Sequence, residues 1–302
     1  MQALKRWIQS RSAWTKLRET QLEGWRPAWR RYRVQRRIDG TPPVHTDKEG
    51  PVEIRVLSWR RDWRNVTWAL KSFYHFSKKR FPLYIHDGGL EDGQAERLQQ
   101  HFPDAHILRV KETEARVDAE LTRRGLLRSR DYRRQNIAMR KVFDFFLFST
   151  AQVVLSIDSD IVFFREPTEL LCDPAPAKNL YNRDGIYAYS MTLEELKAAF
   201  GIEPPPLINS GLSLVHTRSI DFEKIEDWLA NPKLFDNKWV TEQTLHALCS
   251  TLHGVDFLPP TYHVSTEPGM PAEVVCKHYP GFYRPLLYSE GMTKLIEMGF
   301  VR

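Results

Sequence analysis

The sequence predicts an α/β protein: one large domain on a mostly parallel sheet flanked by helices, with an N-terminal helical extension. Three observations predict it. From residue 52 onward, short apolar runs alternate with amphipathic stretches, the order that builds a parallel sheet covered by helices. The run QVVLSIDSD at 152–160 is nearly continuous in apolar residues up to its carboxylates, as a central strand covered on both faces requires. The first forty residues differ in kind, being rich in arginine and tryptophan. The boundaries expected are therefore an extension at 1–40, a linker at 41–51 within the stretch GTPPVHTDKEGP, and a domain at 52–302.

Within the extension, Trp7 and Trp14, and Trp25 and Trp29, are spaced to share a helical face. The domain opens with a strand in VEIRVLSW (52–59), a helix near 66–77, a strand in FPLYIHD (81–87), a helix near 92–102 and a strand in AHILRV (105–110). A longer helical stretch near 130–149 leads into the central strand. Thr192 and Glu195 form the capping box of a helix near 193–200. PLINSGLSLVHT reads as a strand, helices follow near 221–230 and 240–252, and VVCKHYPGFYRP reads as a strand running into a loop.

Charge narrows the function classes. The first forty residues hold eleven Lys or Arg against three Asp or Glu, so +8 of the total +6 sits there and the remainder is −2. A folded domain without net positive charge argues against a nucleic-acid binder. The basic, Trp-bearing extension suits an anionic membrane surface instead. Three cysteines, Cys172, Cys249 and Cys276, lack CxxC pairing, and the odd count fits a reducing compartment. With no apolar signal core and no run of eighteen apolar residues, the expected location is cytoplasmic, peripheral at the inner membrane face at most.

The chemistry gathers at two places. A D-x-D triplet is expected roughly once by chance in a chain this long, but Asp158 and Asp160 directly follow the buried run VVLSI. The carboxyl end of such a strand is where open α/β sheets bind ligands. On extended backbone, i and i+2 point the same way, so both carboxylates can face one hard cation such as Mn²⁺ or Mg²⁺. The bland alternative is a solvated turn with an Asx bond. His278 precedes Gly281 by three residues and Arg284 by six. Imidazole ligates Mn²⁺, glycine lets backbone approach phosphate, and arginine binds phosphate bidentately. The bland alternative here is an ordinary loop.

Taken in order, these motifs resemble glycosyltransferase family 8 and its GT-A relatives. Asp158-Ser159-Asp160 stands for the family's D-x-D, Asn209-Ser210-Gly211 for its N-[AS]-G, Glu242-Gln243 for its acidic-Gln pair, and His278 to Pro285 for H-x-x-G-x-x-K-P. The resemblance covers roughly residues 52–290. It implies a GT-A type, Rossmann-like sheet and transfer of a sugar from a nucleotide-diphosphate donor, a UDP-sugar favoured, to an unidentified acceptor hydroxyl with retention. It also implies a Mn²⁺ or Mg²⁺ site of Asp158, Asp160 and His278, with Gly281 and Arg284 on the diphosphate and Asn209 and Gly211 beside the donor sugar. Glu242, Gln243 and Asp160 would be catalytic. By position, Ser58, Trp59, Arg60 and Asp87 would meet the nucleoside, and Arg140 and Lys141 would point at the donor. Departures are Arg284 for the family's lysine, Glu242 for its aspartate, and Leu286 where it has tryptophan. Three alternatives accompany this reading: an inverting transferase with Glu242 as general base, a nucleotidyltransferase, and a nonenzymatic sugar-nucleotide binder. The loop SWRRDWRN after the first strand contains no glycine, against the second, and intact metal and clamp motifs argue against the third.

Overall fold

The computed structural model describes residues 25–171 and 176–301. Seven strands form the main sheet in the order β3-β2-β1-β4-β7-β6-β8, and three form a small one, β5-β10-β9. β1 (Val52–Ser58) lies between β2 (Leu83–Asp87) and β4 (Val153–Ile157), parallel to both, and β3 (His106–Leu108) extends the parallel run. The direction reverses at β7 (Ile208–His216), which is antiparallel to β4 and to β6 (Asn179–Arg183), while β8 (Val255–Phe257) runs parallel to β6. The sheet is therefore mostly parallel, as the alternating pattern predicted. Every residue of β4 is buried, which is why its sequence lacks polar alternation.

Among the described residues, the helix α1 (Trp25–Arg36) precedes the sheet; Trp7 and Trp14 lie outside them. Beyond it, Ile38 is fully buried against Trp68, whose indole Nε1 donates to the Gln35 carbonyl at 3.0 Å, and Arg64 forks onto Asp39. Residues 41–51 are held by Lys71 Nζ, which donates to Thr41 Oγ1 and the Pro42 carbonyl at 2.6 Å, and by Val44 N bonding the His101 carbonyl.

α2 (Trp63–Ser77) and α3 (Asp92–His101) pack on the sheet through Val66, Leu70, Phe73, Leu98 and Phe102. α4 (Val110–Arg123), which the periodicity did not reveal, buries only Val117 and Leu121 in an otherwise charged sequence. The helix expected at 130–149 is broken. α5 (Leu127–Gln135) stops at Asn136, whose extended backbone (φ −133°, ψ 106°) starts a 3₁₀ turn at Ile137–Lys141, capped by its own side chain accepting from Ala138 N. Its amide also donates to the Lys238 carbonyl at 2.8 Å, so tertiary bonding outweighs helical propensity there.

α6 (Leu193–Phe200) has the expected capping box, Thr192 with Glu195, and ends at Gly201 in the left-handed region. α7 (Phe222–Trp228) and α8 (Thr241–Thr251) follow. In the small sheet, β10 (Cys276–His278) pairs antiparallel with β5 (Ile161–Phe163) and parallel with β9 (Tyr262–Val264). The loop expected after β10 is brief: a 3₁₀ turn at Gly281–Tyr283 runs into helical backbone at Arg284–Leu286, with proline in its first turn.

Candidate active site

The topology explains why residues 120 positions apart in sequence meet. β4 ends at Ile157, opposite Leu212 of β7, and Asp158 N donates to the Gly211 carbonyl at 2.8 Å. The chain then turns into β5, whose Ile161 stands opposite His278. Asp158, Ser159 and Asp160 are therefore the corner between two sheets. They form a tight turn, closed by Ile161 N on the Asp158 carbonyl, and not the extended backbone expected from i, i+2 geometry. Strand pairing on both sides of the turn performs the convergence that alternation was expected to supply. Asp158, Asp160 and His278 each present a donor atom within 4.8 Å of the other two.

His278 is buried, with Nδ1 3.0 Å from Asn209 Oδ1 and Nε2 3.2 Å from Asp160 Oδ1. An amide oxygen can only accept, so Nδ1 carries a proton as donor, and this bond fixes the ring with Nε2 facing the Asp160 carboxylate. Fixing one ring nitrogen to orient the other is the usual support of a metal-ligating histidine. Gly211 makes room for this. A Cβ there would lie 2.4 Å from His278 Cε1 and 2.9 Å from Asp158 Oδ2.

Charge points the same way. Asp62 interacts with Asp160, Asp160 with Asp158, and Asp158 with Glu242, and the cations Lys141 and Arg284 stand among them. Four carboxylates against two cations leave an excess that one divalent ion neutralises. Lys141 Nζ lies 3.0 Å from Asp158 and 3.5 Å from Glu242. Burial alone would lower its pKa, but Asp158, Glu242 and Asp160 hold the ammonium above its ordinary value. Asp160 faces the same burial penalty, yet Arg284, donating through Nε and Nη2 at 3.0 and 2.5 Å, and His278 hold it below the carboxylate range. Asp158 is shifted upward, because desolvation exceeds the opposing pull of Lys141. A mixed set of two carboxylates and an imidazole fits Mn²⁺ well and Mg²⁺, which favours all-oxygen sites, less well.

Around this core, Asn209 Nδ2 donates to Asp184 at 2.8 Å, and Ser210 links β7 to the start of α8. Its hydroxyl donates to Glu242 Oε2 at 3.1 Å and its amide to Gln243 Oε1 at 3.3 Å. Gln243 Nε2 bonds the Ala188 carbonyl. Glu242 Oε1 has no hydrogen bond, but Lys141 and His246 Nε2 stand at 3.5 and 3.4 Å. Burial, with Lys141 nearby, drives His246 down to about 3, so it is neutral.

The other expected contacts divide. Arg140 turns away from its neighbour Lys141, donating to the Asp87 carbonyl and to Glu114 at 3.0 Å. Asp87 in turn caps Gly89 N and Leu90 N and pairs with Arg109. These two residues hold the ends of β2 and α4 in a network of their own. The Ser58 carbonyl accepts from Gly88 N, Trp59 is partly exposed, and Arg60 is solvent-facing beside Glu91 at 3.4 Å. Gly281 has φ +53°, a conformation that favours glycine. Sequence reading missed Asp62, Asp184 and His246, which carry no motif. Asp62 lies in the loop SWRRDWRN, where its charge among three arginines reads as an ordinary surface residue.

The sequence matches no protein-family model and no curated protein. The structure resembles the galactosyltransferase LgtC solved with donor and acceptor sugar analogues, with TM-score 0.52 and 15% identity over 82% of this chain and 96% of that one. An active-site mutant of LgtC superposes with TM-score 0.52 and 14% identity, over 82% and 95%. A third neighbour is the bifunctional glycosyltransferase WbbM, with TM-score 0.50 and 13% identity over 84% of this chain; the chain spans 53% of WbbM. The chain has the GT-A glycosyltransferase fold.

Proposed function

We propose that the protein is a metal-dependent glycosyltransferase that moves a sugar from a nucleotide-diphosphate donor, a UDP-sugar favoured, to an acceptor hydroxyl with retention. The observation that carries this reading is the convergence of Asp158, Asp160 and His278 at the corner of a GT-A sheet, with the histidine ring fixed by Asn209. Mn²⁺ held by these three residues would neutralise charge building on the departing diphosphate. Arg284, less than half exposed and anchored on Asp160, adds a second positive group for phosphate oxygens. Asn209, Gly211 and the backbone-locked amide of Gln243 would border the donor sugar, while Gly281 would let backbone near the diphosphate. Ser58, Trp59 and Arg60 would lie toward the nucleoside. Asp87 and Arg140 would shape that end of the cleft through the β2 terminus.

Retention is favoured over inversion by the surroundings of Glu242. A general base needs an oxygen open to the acceptor hydroxyl, whereas Ser210, Lys141 and His246 already crowd this carboxylate. Proton NMR of the first-formed product from an α-linked donor should show an α linkage. A β linkage would promote Glu242 to general base and overturn the retaining mechanism.

We place the enzyme in the cytoplasm, where the thiols of Cys249 and Cys276 stay free, with α1 resting on an anionic bilayer. Among the described residues, no helix is long and apolar enough to cross a membrane. α1 has no acidic residue, and Trp29 and Tyr32 are exposed on it with Arg33 and Arg36 over their rings. Each basic residue at such a surface contributes about 1 kcal/mol. Combining Trp29→Ala, Arg30→Glu and Arg33→Glu should abolish flotation with anionic vesicles without disturbing Ile38. Unchanged flotation would remove α1 from the membrane contact.

A further inference from the structure

Asp62 has the marks of a group kept for a purpose other than packing. It is 8% exposed, and burial pushes its carboxyl up to about 6, against the pull of Arg284 and the hydrogen bonds it accepts. A buried carboxylate is expensive to maintain in its charged form. Each of its oxygens has one partner, and the partners come from different loops. Oδ1 accepts from Trp59 N at 2.7 Å, closing the β1–α2 loop on itself. Oδ2 accepts from the Ser159 hydroxyl at 2.8 Å, across 97 residues of sequence. Ser159 is buried and is the middle residue of the turn that carries Asp158 and Asp160.

We propose that Asp62 is a positioning residue that locks the loop after β1 to the Asp158–Asp160 turn through Ser159, fixing the spacing of the two metal-ligating carboxylates. This rests on the metal site proposed above. Strand pairing anchors both ends of the turn, at Ile157 and Ile161, but Ser159 at its apex has no strand partner. The Asp62 bond is the restraint at that point. The same bond carries a second consequence: a ligand that orders the 58–62 loop also orders the metal turn, so the two halves of the cleft are set together.

The test uses the full chain, with Asp62→Ala, Ser159→Ala, the double variant and Asp62→Asn. Asparagine can still accept from Trp59 N and can donate through its amide to Ser159 Oγ, so it should rescue the link. Hydrogen exchange read by mass spectrometry should show that Asp62→Ala speeds exchange at residues 158–161 and that Ser159→Ala speeds it at 58–62. Asp62→Asn should behave as wild type. Titration with Mn²⁺ alone should show roughly tenfold weaker binding for either alanine variant, as for other groups that support metal ligands. The double variant should be no weaker than either single one. Exchange confined to the mutated loop, or additive losses in the double variant, would overturn the proposal. A wild-type chain that binds no Mn²⁺ would instead overturn the metal reading, and the reciprocal exchange would still decide whether the two loops are linked.

Discussion

Replacing Asp160 by Asn is expected to cut turnover on the order of 10³-fold while leaving the fold intact, because a Lewis-acidic ion supplies several kcal/mol of transition-state stabilisation. The substitution keeps shape and one carbonyl ligand and removes the charge that Arg284 and His278 both address. Arg284 is 45% exposed, so it can turn to water, and the melting temperature should hold within a few degrees. His278→Ala should produce a comparable loss. Because the two residues would share one ion, the double variant should lose much less than the product of the single losses. Independent, multiplicative losses measured by steady-state kinetics would mean that the residues do not act through a common centre.

A larger structural effect is expected from adding a single methyl group. Gly211→Ala would place Cβ 2.4 Å from His278 Cε1, 2.9 Å from Asp158 Oδ2 and 3.0 Å from Asn209 Oδ1. On the β4 side Gly211 is tied by Asp158 N to its carbonyl, and on the β6 side it lies in the irregularity between the Tyr181–Ser213 and Asn182–Asn209 pairs, so the side chains it meets take up much of the strain. The imidazole must move and lose its bond to Asn209. Overpacking of this kind costs about 1–3 kcal/mol, and activity should fall to the level of His278→Ala. Gly93 in α3 has nothing within 4 Å of its Cβ position, so Gly93→Ala is the control and should be neutral or stabilising by up to about 1 kcal/mol. Thermal melting with Mn²⁺ titration separates the two variants. Wild-type metal affinity in Gly211→Ala would show that His278 is not a ligand.

Much of the molecule was legible in the sequence, for identifiable reasons. β4 announced itself because burial on both faces leaves no polar alternation, and α6 because its capping box and terminal glycine are local chemistry. The candidate site was legible in outline because Asp158, Asn209 and Glu242 each sit near the end of an element readable by period, and His278 stands out by its spacing to Gly281 and Arg284. What failed was whatever tertiary bonding decides. Asn136 breaks an apolar stretch that looks helical, because its side chain is committed to Ala138 N and the Lys238 carbonyl. β5 and β9 are three residues long, too short for any period to show. The convergence of Asp158 and Asp160 followed from a corner between two sheets, which no local pattern encodes. Arg140 and Lys141 were equivalent by sequence, yet the 3₁₀ turn sends one to Glu114 and the other to Asp158. Asp62 had no motif because its partner lies 97 residues away.

The central claim, that these residues form a metal-assisted nucleotide-sugar site, is tested most directly by thermal shift with a panel of nucleoside diphosphates, each with and without Mn²⁺. A ligand at a hundred times its Kd adds about 2.7 kcal/mol of apparent stability, roughly a 5 °C rise for a domain of this size. One diphosphate, UDP on the present reading, should give that rise only when Mn²⁺ is present, and Asp158→Asn should abolish it. A rise that is the same with chelator, or no rise with any diphosphate, would contradict the account.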